Sequence, residues 1–142
     1  MKFDWSFFGI EQCSSVDDST ITQVQKLLGV VFPKSYLDLV KYADNASPEV
    51  SSFPYGDAAT CISEFFSFSP DETPYTISWY VGAGIPPGLS DGMVPIARDA
   101  GGHLVCLNFK VPSIAVEIFD PDSGSVHFVT NDFDAFVNLW SE

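Results

Sequence analysis

The chain has 142 residues, 46% hydrophobic and 18% charged, enough for one domain with a buried core and unlike a disordered tail. Six Lys and Arg face nineteen Asp and Glu, a formal charge of −13. That balance excludes nucleic-acid phosphate as a main partner, since phosphate contacts demand clustered cations, disfavours docking on an anionic membrane surface, and favours a basic protein partner.

The first predicted element is a helix. Asp17 is placed to cap it, Val16 and Ile21 occupy the two hydrophobic-staple positions, and Asp18 puts negative charge where the helix dipole favours it. Ile21, Val24, Leu27 and Leu28 form one apolar face, and Gly29 is the stop. After the short link Val30-Val31-Phe32, Pro33 opens a second helix with Tyr36, Leu39, Val40 and Ala43 on its buried side. Lys34 and Asp38 are spaced as a four-apart pair on its exposed side, and the two helices read as a hairpin.

Ser, Pro, Gly and acids from Asn45 to Ala59 predict a loop, and Cys61 to Ser69, with Phe65, Phe66 and Phe68, predicts a strand. Thr73 to Ala83 fits either a short helix carrying Ile77, Tyr80 and Val81 or a strand over Tyr75 to Trp79. Gly82 to Gly92, with Pro86-Pro87-Gly88, is a second loop. The last third reads as strands Met93–Ala97, His103–Phe109, Ile114–Phe119 and Val126–Val129. Asp99 to Gly102 and Asp122 to Ser125 supply two of the turns, and His103–Phe109 is apolar on both faces, hence central. Asp132 caps a closing helix with Phe133, Phe136, Val137 and Trp140 at helical spacing. Helices, then hairpin-linked strands, then a helix make an α+β domain with a mostly antiparallel sheet.

Thirteen Phe, three Trp and five Tyr predict some aromatic surface beside the aromatic core. Cys13, Cys61 and Cys106 are odd in number and far apart, which suits small buried thiols in a reducing compartment better than a disulfide framework or a zinc site. The opening Met1 to Phe8 is too short and too charged for a signal peptide, and no apolar run is long enough to span a bilayer, so a cytoplasmic product is expected.

Motifs for chemistry are sparse. His103 and His127, each placed on a strand, read as side chains bonded at a sheet edge rather than as bases or metal ligands, and no nucleophile elbow is present. Asp120-Pro121-Asp122-Ser123-Gly124 opens like a calcium loop, but Ser125 and Asn131 stand where that loop needs Gly and Glu. Gly82-Ala83-Gly84 before Pro86-Pro87 is not a dinucleotide fingerprint. No catalytic residue, metal or cofactor is expected. The charge surplus exceeds the roughly 2–8 units that serve solubility in a small domain, which points to an interaction surface.

In order along the chain, three segments resemble one family. Ile21 through Leu27-Leu28-Gly29, Phe32-Pro33, Tyr36 and Leu39-Val40 form the first; Met93 to Ala97 with Asp99-Ala100-Gly101-Gly102-His103 and Val105 to Leu107 form the second. Val116 to Asp120 and Phe133 to Val137 form the third. Together they resemble the SUKH superfamily, the Smi/Knr-like domain of bacterial immunity proteins and fungal cell-wall regulators. Asn45-Ala46 stands where the family has Asn-Gly, which implies an altered loop, and Asn108 replaces an Asp that often ends the central strand. Ser47 to Leu89 does not align, and partner specificity is expected there.

The resemblance implies a non-enzymatic protein that binds and neutralises a toxin, often a nuclease whose basic active site an acidic inhibitor can occupy. The expected contacts are the loop acids Glu49, Asp57, Asp71, Glu72, Asp91 and Asp99, with Tyr55, Trp79 and Tyr80 as aromatic anchors, though Trp79 suits core packing equally. Two other readings compete: a regulator that binds an endogenous protein, and a hydrolase built on a carboxylate pair in a concave pocket.

Overall fold

Asp17 ends an extended segment, and its carboxylate accepts the Thr20 N–H at 2.8 Å, which starts α1 (Asp18–Leu28). The computed structural model describes residues 1–14 and 16–142. Gly29 closes α1 in the left-handed conformation, its N–H on the Gln25 carbonyl at 2.9 Å. The Gln25 side chain then accepts the Phe32 N–H at 2.8 Å and turns the chain into α2 (Lys34–Tyr42). Val16 and Ile21 both pack on the core, as a staple requires, and Lys34 reaches Asp38 at 3.5 Å.

Six strands follow in an antiparallel sheet whose spatial order is the sequence order: β1 (Ser52–Tyr55), β2 (Ala58–Phe65), β3 (Met93–Asp99), β4 (Leu104–Asn108), β5 (Ala115–Phe119) and β6 (Val126–Thr130). Between β2 and β3 lies a long excursion that contains α3 (Ile77–Tyr80), and α4 (Phe133–Leu139) closes the fold. Asp132 caps α4 by accepting the Ala135 N–H at 2.7 Å. Beyond α4, Ser141 and Ser52 exchange both backbone hydrogen bonds, tying the chain end to β1. The α+β class, the helix pair, the last four strands and the closing helix agree with the sequence reading.

Other expectations are corrected. Asn45 to Ala59 is not wholly loop: it holds β1 and the start of β2, a hairpin whose Ser, Pro and Gly content hides its pairing. The expected strand Cys61–Ser69 is shifted, since β2 begins at Ala58 and ends at Phe65. The ambiguous stretch is helical only over α3, and Thr76 rather than Thr73 caps it. Pro95 lies inside β3 at a register shift, the place where a strand tolerates a missing N–H. Asn45 itself takes the left-handed conformation (φ 57°), so Ala46 needs no glycine and is buried. Of the thiols, only Cys106 is fully buried; Cys61 is half-buried and Cys13 exposed.

One core joins sheet and helices. Phe32, Tyr36, Phe68 and Phe133 form an aromatic cluster with ring centroids 5.2–6.1 Å apart. The N-terminal 3-10 turn Trp5–Phe8, which the sequence reading passed over, buries Trp5 and sets Phe8 edge-on to Trp140 at 5.1 Å. Aromatic pairs in such geometry add about 0.5–1.5 kcal/mol beyond area burial.

Asp99 is 1% exposed and closes the β3–β4 turn: its carboxylate accepts the Gly101 and His103 N–H groups at 2.9 and 2.8 Å and the Thr60 hydroxyl at 3.1 Å. Asp99→Ala leaves those donors without an acceptor and is expected to cost about 2–3 kcal/mol, read as a lowered urea midpoint; Asp99→Asn, which keeps one oxygen, costs less. The carboxyls of Asp17 and Asp120 are held below the usual range, chiefly by the Thr20 and Asp122 N–H groups. Their folded-state values being lowered, they favour the fold fully above the unfolded carboxylate range near pH ~4 and lose that effect as pH falls through the lowered values. Replacing both by Asn is therefore expected to make the acid limb of a Tm-against-pH curve shallower.

Candidate functional site

The last turn of α1 carries Leu27 and Leu28 beyond the stripe that Ile21 and Val24 bury. Leu27 was expected on the buried face; it is 62% exposed, because at 3.6 residues per turn it sits about a quarter-turn from the line of Ile21, Val24 and Leu28. Opposite this turn stands the β2–β3 excursion. Its start is pinned by Asp44, whose carboxylate accepts the Phe68 N–H at 2.8 Å and the Ser67 hydroxyl at 3.0 Å. Ser67 and Thr76 pair backbone to backbone, and the Thr76 hydroxyl donates toward the Asp71 and Thr73 carbonyls, each at 2.8 Å. The Ser78 hydroxyl adds a bond to the Ser69 carbonyl at 2.6 Å.

Between the α1 turn and this excursion run two adjoining clefts of about 260 and 240 Å³ that share Leu27, Leu28 and Val81. Val30, Ile85, Met93 and Val94 line the first, with Asp91 at its edge; Pro70 and Ser78 line the second, with Glu72. Leu27 and Ile85 are more than half exposed, so the surface is apolar and open. Glu72 is partly committed, its Oε1 accepting the Ala83 N–H at 2.9 Å. Asp91 stands 3.5 Å from Lys110, with both side chains in solvent. Asp71, beside Pro70 and Glu72, is exposed and has no ion-pair partner among the described residues.

The nine residues singled out from sequence therefore part company. Asp71, Glu72, Trp79 and Asp91 belong to the excursion and its groove. Trp79 is half-buried, edge-on to Tyr80 at 4.9 Å, and rests on Gly84, where a side chain would collide with the indole. Tyr80 is not a surface anchor: it is 8% exposed and stacked on Phe66 at 4.3 Å, and burial pushes its phenol up. Asp99 is not a loop acid open to a partner, being enclosed in the β3–β4 turn. Tyr55 and Asp57 lie at the far end of the sheet, Tyr55 with its ring 5.7 Å from His127. Glu49 lies elsewhere again, its side chain folded over Gly9. Sequence reasoning missed the groove's apolar floor and the aromatic that the excursion does present, Tyr75, 59% exposed at a left-handed φ of 71°. The available signals were an isolated Ile85 in a Gly- and Pro-rich loop and a leucine at the margin of a helical stripe.

The titratable groups at the hairpin end form a separate arrangement. His103 Nδ1 is 3.5 Å from Asp99 Oδ2 and Nε2 is 3.8 Å from Asp120 Oδ2, beyond good hydrogen-bond distance. His127 Nε2 lies 3.5 Å from Ser125 Oγ on an exposed hairpin. Among the described residues no three His, Cys, Asp or Glu side chains converge as metal ligands, and no helix is long and apolar enough to cross a membrane. The arrangement with the clearest physical capacity is the groove, which can receive an apolar side chain beside a cation.

Comparison with known proteins agrees with the architecture. The model of the SMI1 / KNR4 family (SUKH-1) matches residues 15–139, from the approach to α1 through the end of α4. No curated protein sequence matches the chain. With the match covering the helix pair, the excursion, all six strands and the closing helix, the chain belongs to the SMI1/KNR4 (SUKH-1) family.

Proposed function

We propose that this chain is a non-catalytic binding protein of the immunity type, which works in the cytoplasm by capturing a basic toxin, a nuclease domain in particular, and covering the surface that the toxin needs. The observation that carries the reading is the open apolar groove between α1 and the β2–β3 excursion, edged by Glu72 and Asp91 on a chain of net charge −13. Apolar surface supplies affinity, whereas the surrounding anionic field speeds encounter with a cationic partner and disfavours acidic ones. A nuclease must hold phosphate and so presents the matching positive surface. Family membership supports a protein partner, and one wall of the groove is the β2–β3 excursion, where partner specificity is expected, facing Leu27, Leu28, Met93 and Val94 from the family-like segments.

The test is co-expression with the toxin encoded beside the gene, together with sizing-column chromatography of the mixed proteins. Protection of the cells and a stable complex are expected. The double variant Asp71→Lys, Asp91→Lys alters two exposed carboxylates and is expected to slow association about tenfold or more at low salt, with a smaller difference at 0.5 M NaCl. Its circular dichroism should match the unaltered protein. Failure of protection and absence of a complex would overturn the assignment.

A further inference from the structure

At the edge of the groove a cation of the chain itself holds the position that a partner's cation would want. Lys110, in the β4–β5 turn, places Nζ 3.5 Å from Asp91 Oδ2. Its aliphatic stem lies across Gly92: a Cβ there would sit 2.7 Å from Lys110 Cγ, and Gly92 has a φ of +86°, so glycine is needed for both space and backbone. Gly92 and Asp91 line the same cleft as Leu27, Leu28 and Ile85. The Lys110 and Asp91 side chains are 67% and 97% exposed, so their contact is weakly held and readily exchanged for another.

Resting on the binding reading above, we infer that the groove recognises a paired feature of its partner, one apolar side chain seated between Leu27 and Ile85 with an adjacent Lys or Arg at Asp91, and that Lys110 is the internal competitor this cation displaces. A 260 Å³ cleft accommodates a leucine-sized group, and the open rim leaves a long cationic side chain free to reach the carboxylate while its stem covers apolar wall. A partner with charge but no apolar group forfeits the floor; one with an apolar group but no cation leaves Lys110 in place. Selectivity thus comes from requiring both.

The experiment follows the methyl resonances of Leu27, Leu28, Val81, Ile85 and Val94 while three peptides of equal length are added: an amphipathic Lys/Leu helix, an all-Lys peptide and a Ser/Leu peptide. The Lys/Leu peptide is expected to move these methyls and the other two to leave them nearly unmoved. Lys110→Gln should tighten the Lys/Leu peptide about two- to fivefold, Asp91→Asn should weaken it by a similar factor, and Leu27→Asp, at an exposed position, should weaken it about tenfold. Asp57→Asn, at the opposite end of the sheet, should change nothing. Groove methyls that stay still, an equal response to the all-Lys peptide, or a Lys110→Gln variant that binds no tighter would each overturn the inference. Toxin protection is measured in parallel: if Leu27→Asp protects cells as well as the unaltered protein, the groove assignment fails while the immunity reading stands. If the unaltered protein does not protect, that reading fails whatever the peptides show.

Discussion

Strand β4 presents Leu104 and Cys106 to one side of the sheet and Val105 and Leu107 to the other, and all four are withdrawn from water. Its neighbour β5 repeats the pattern, with Phe119 beside Leu104 and Ile118 beside Val105, both wholly buried. An antiparallel sheet with one wet face needs cover once; this one needs it twice. The second cover is why the connection between β2 and β3 is so long. The loop after α3 reaches Phe119, where a Cβ at Gly88 would lie 3.9 Å from the ring, and α3 packs on β3 while its Tyr80 stacks on Phe66, just past the end of β2. Burial of Cys106 in this double-sided interior pushes its thiol up and leaves it unreactive.

The groove is a consequence of the same constraint. A segment that must lie flat on a sheet has to be held at its start, and the Asp44–Ser67–Thr76 network does that without using apolar surface. The excursion therefore keeps Val81 and Ile85 available at its margin, where they meet Leu27 and Leu28 from a helix that ends nearby. A pinned wall facing a helix end gives an open cleft with little backbone freedom to lose on binding, and preorganisation of that kind favours affinity. The excursion is thus both the structural cover of the second face and one wall of the groove.

The sequence made the sheet's last four strands and three of the helices legible because their signals are local: caps at Asp17 and Asp132, stripes at Ile21/Val24 and Phe133/Phe136/Val137, and turn residues between strands. β1 was hidden because a four-residue edge strand containing a proline carries almost no periodicity, and its pairing with β2 and with Ser141 is settled by tertiary contacts. The candidate surface was legible only in part. Acids and aromatics in loops named Glu72, Trp79 and Asp91, but composition cannot tell an acid that faces a partner from one that closes a turn. Asp99 and Tyr80 show the difference: both have residue types suited to an interface, and both are consumed by the fold.

That distinction also changes what the net charge means. Asp4, Asp17, Asp44, Asp99, Asp120 and Asp132 each accept a backbone N–H, so their carboxylates build caps and turns. Asp18, Asp38, Glu64 and Asp134 face the chain's own cations. Those of them that lie at the surface still add to the long-range negative field of the chain. They offer little at contact, where a partner's cation would have to displace an existing donor. Asp91, held only by an exposed lysine, and Glu72, which accepts the Ala83 N–H through one oxygen, are the carboxylates that line the open clefts, and Asp71, next to Glu72 in the chain, is exposed with no ion-pair partner among the described residues. The long-range field thus arises from the acidic surface as a whole, while the carboxylates that line open apolar surface are confined to one short rim.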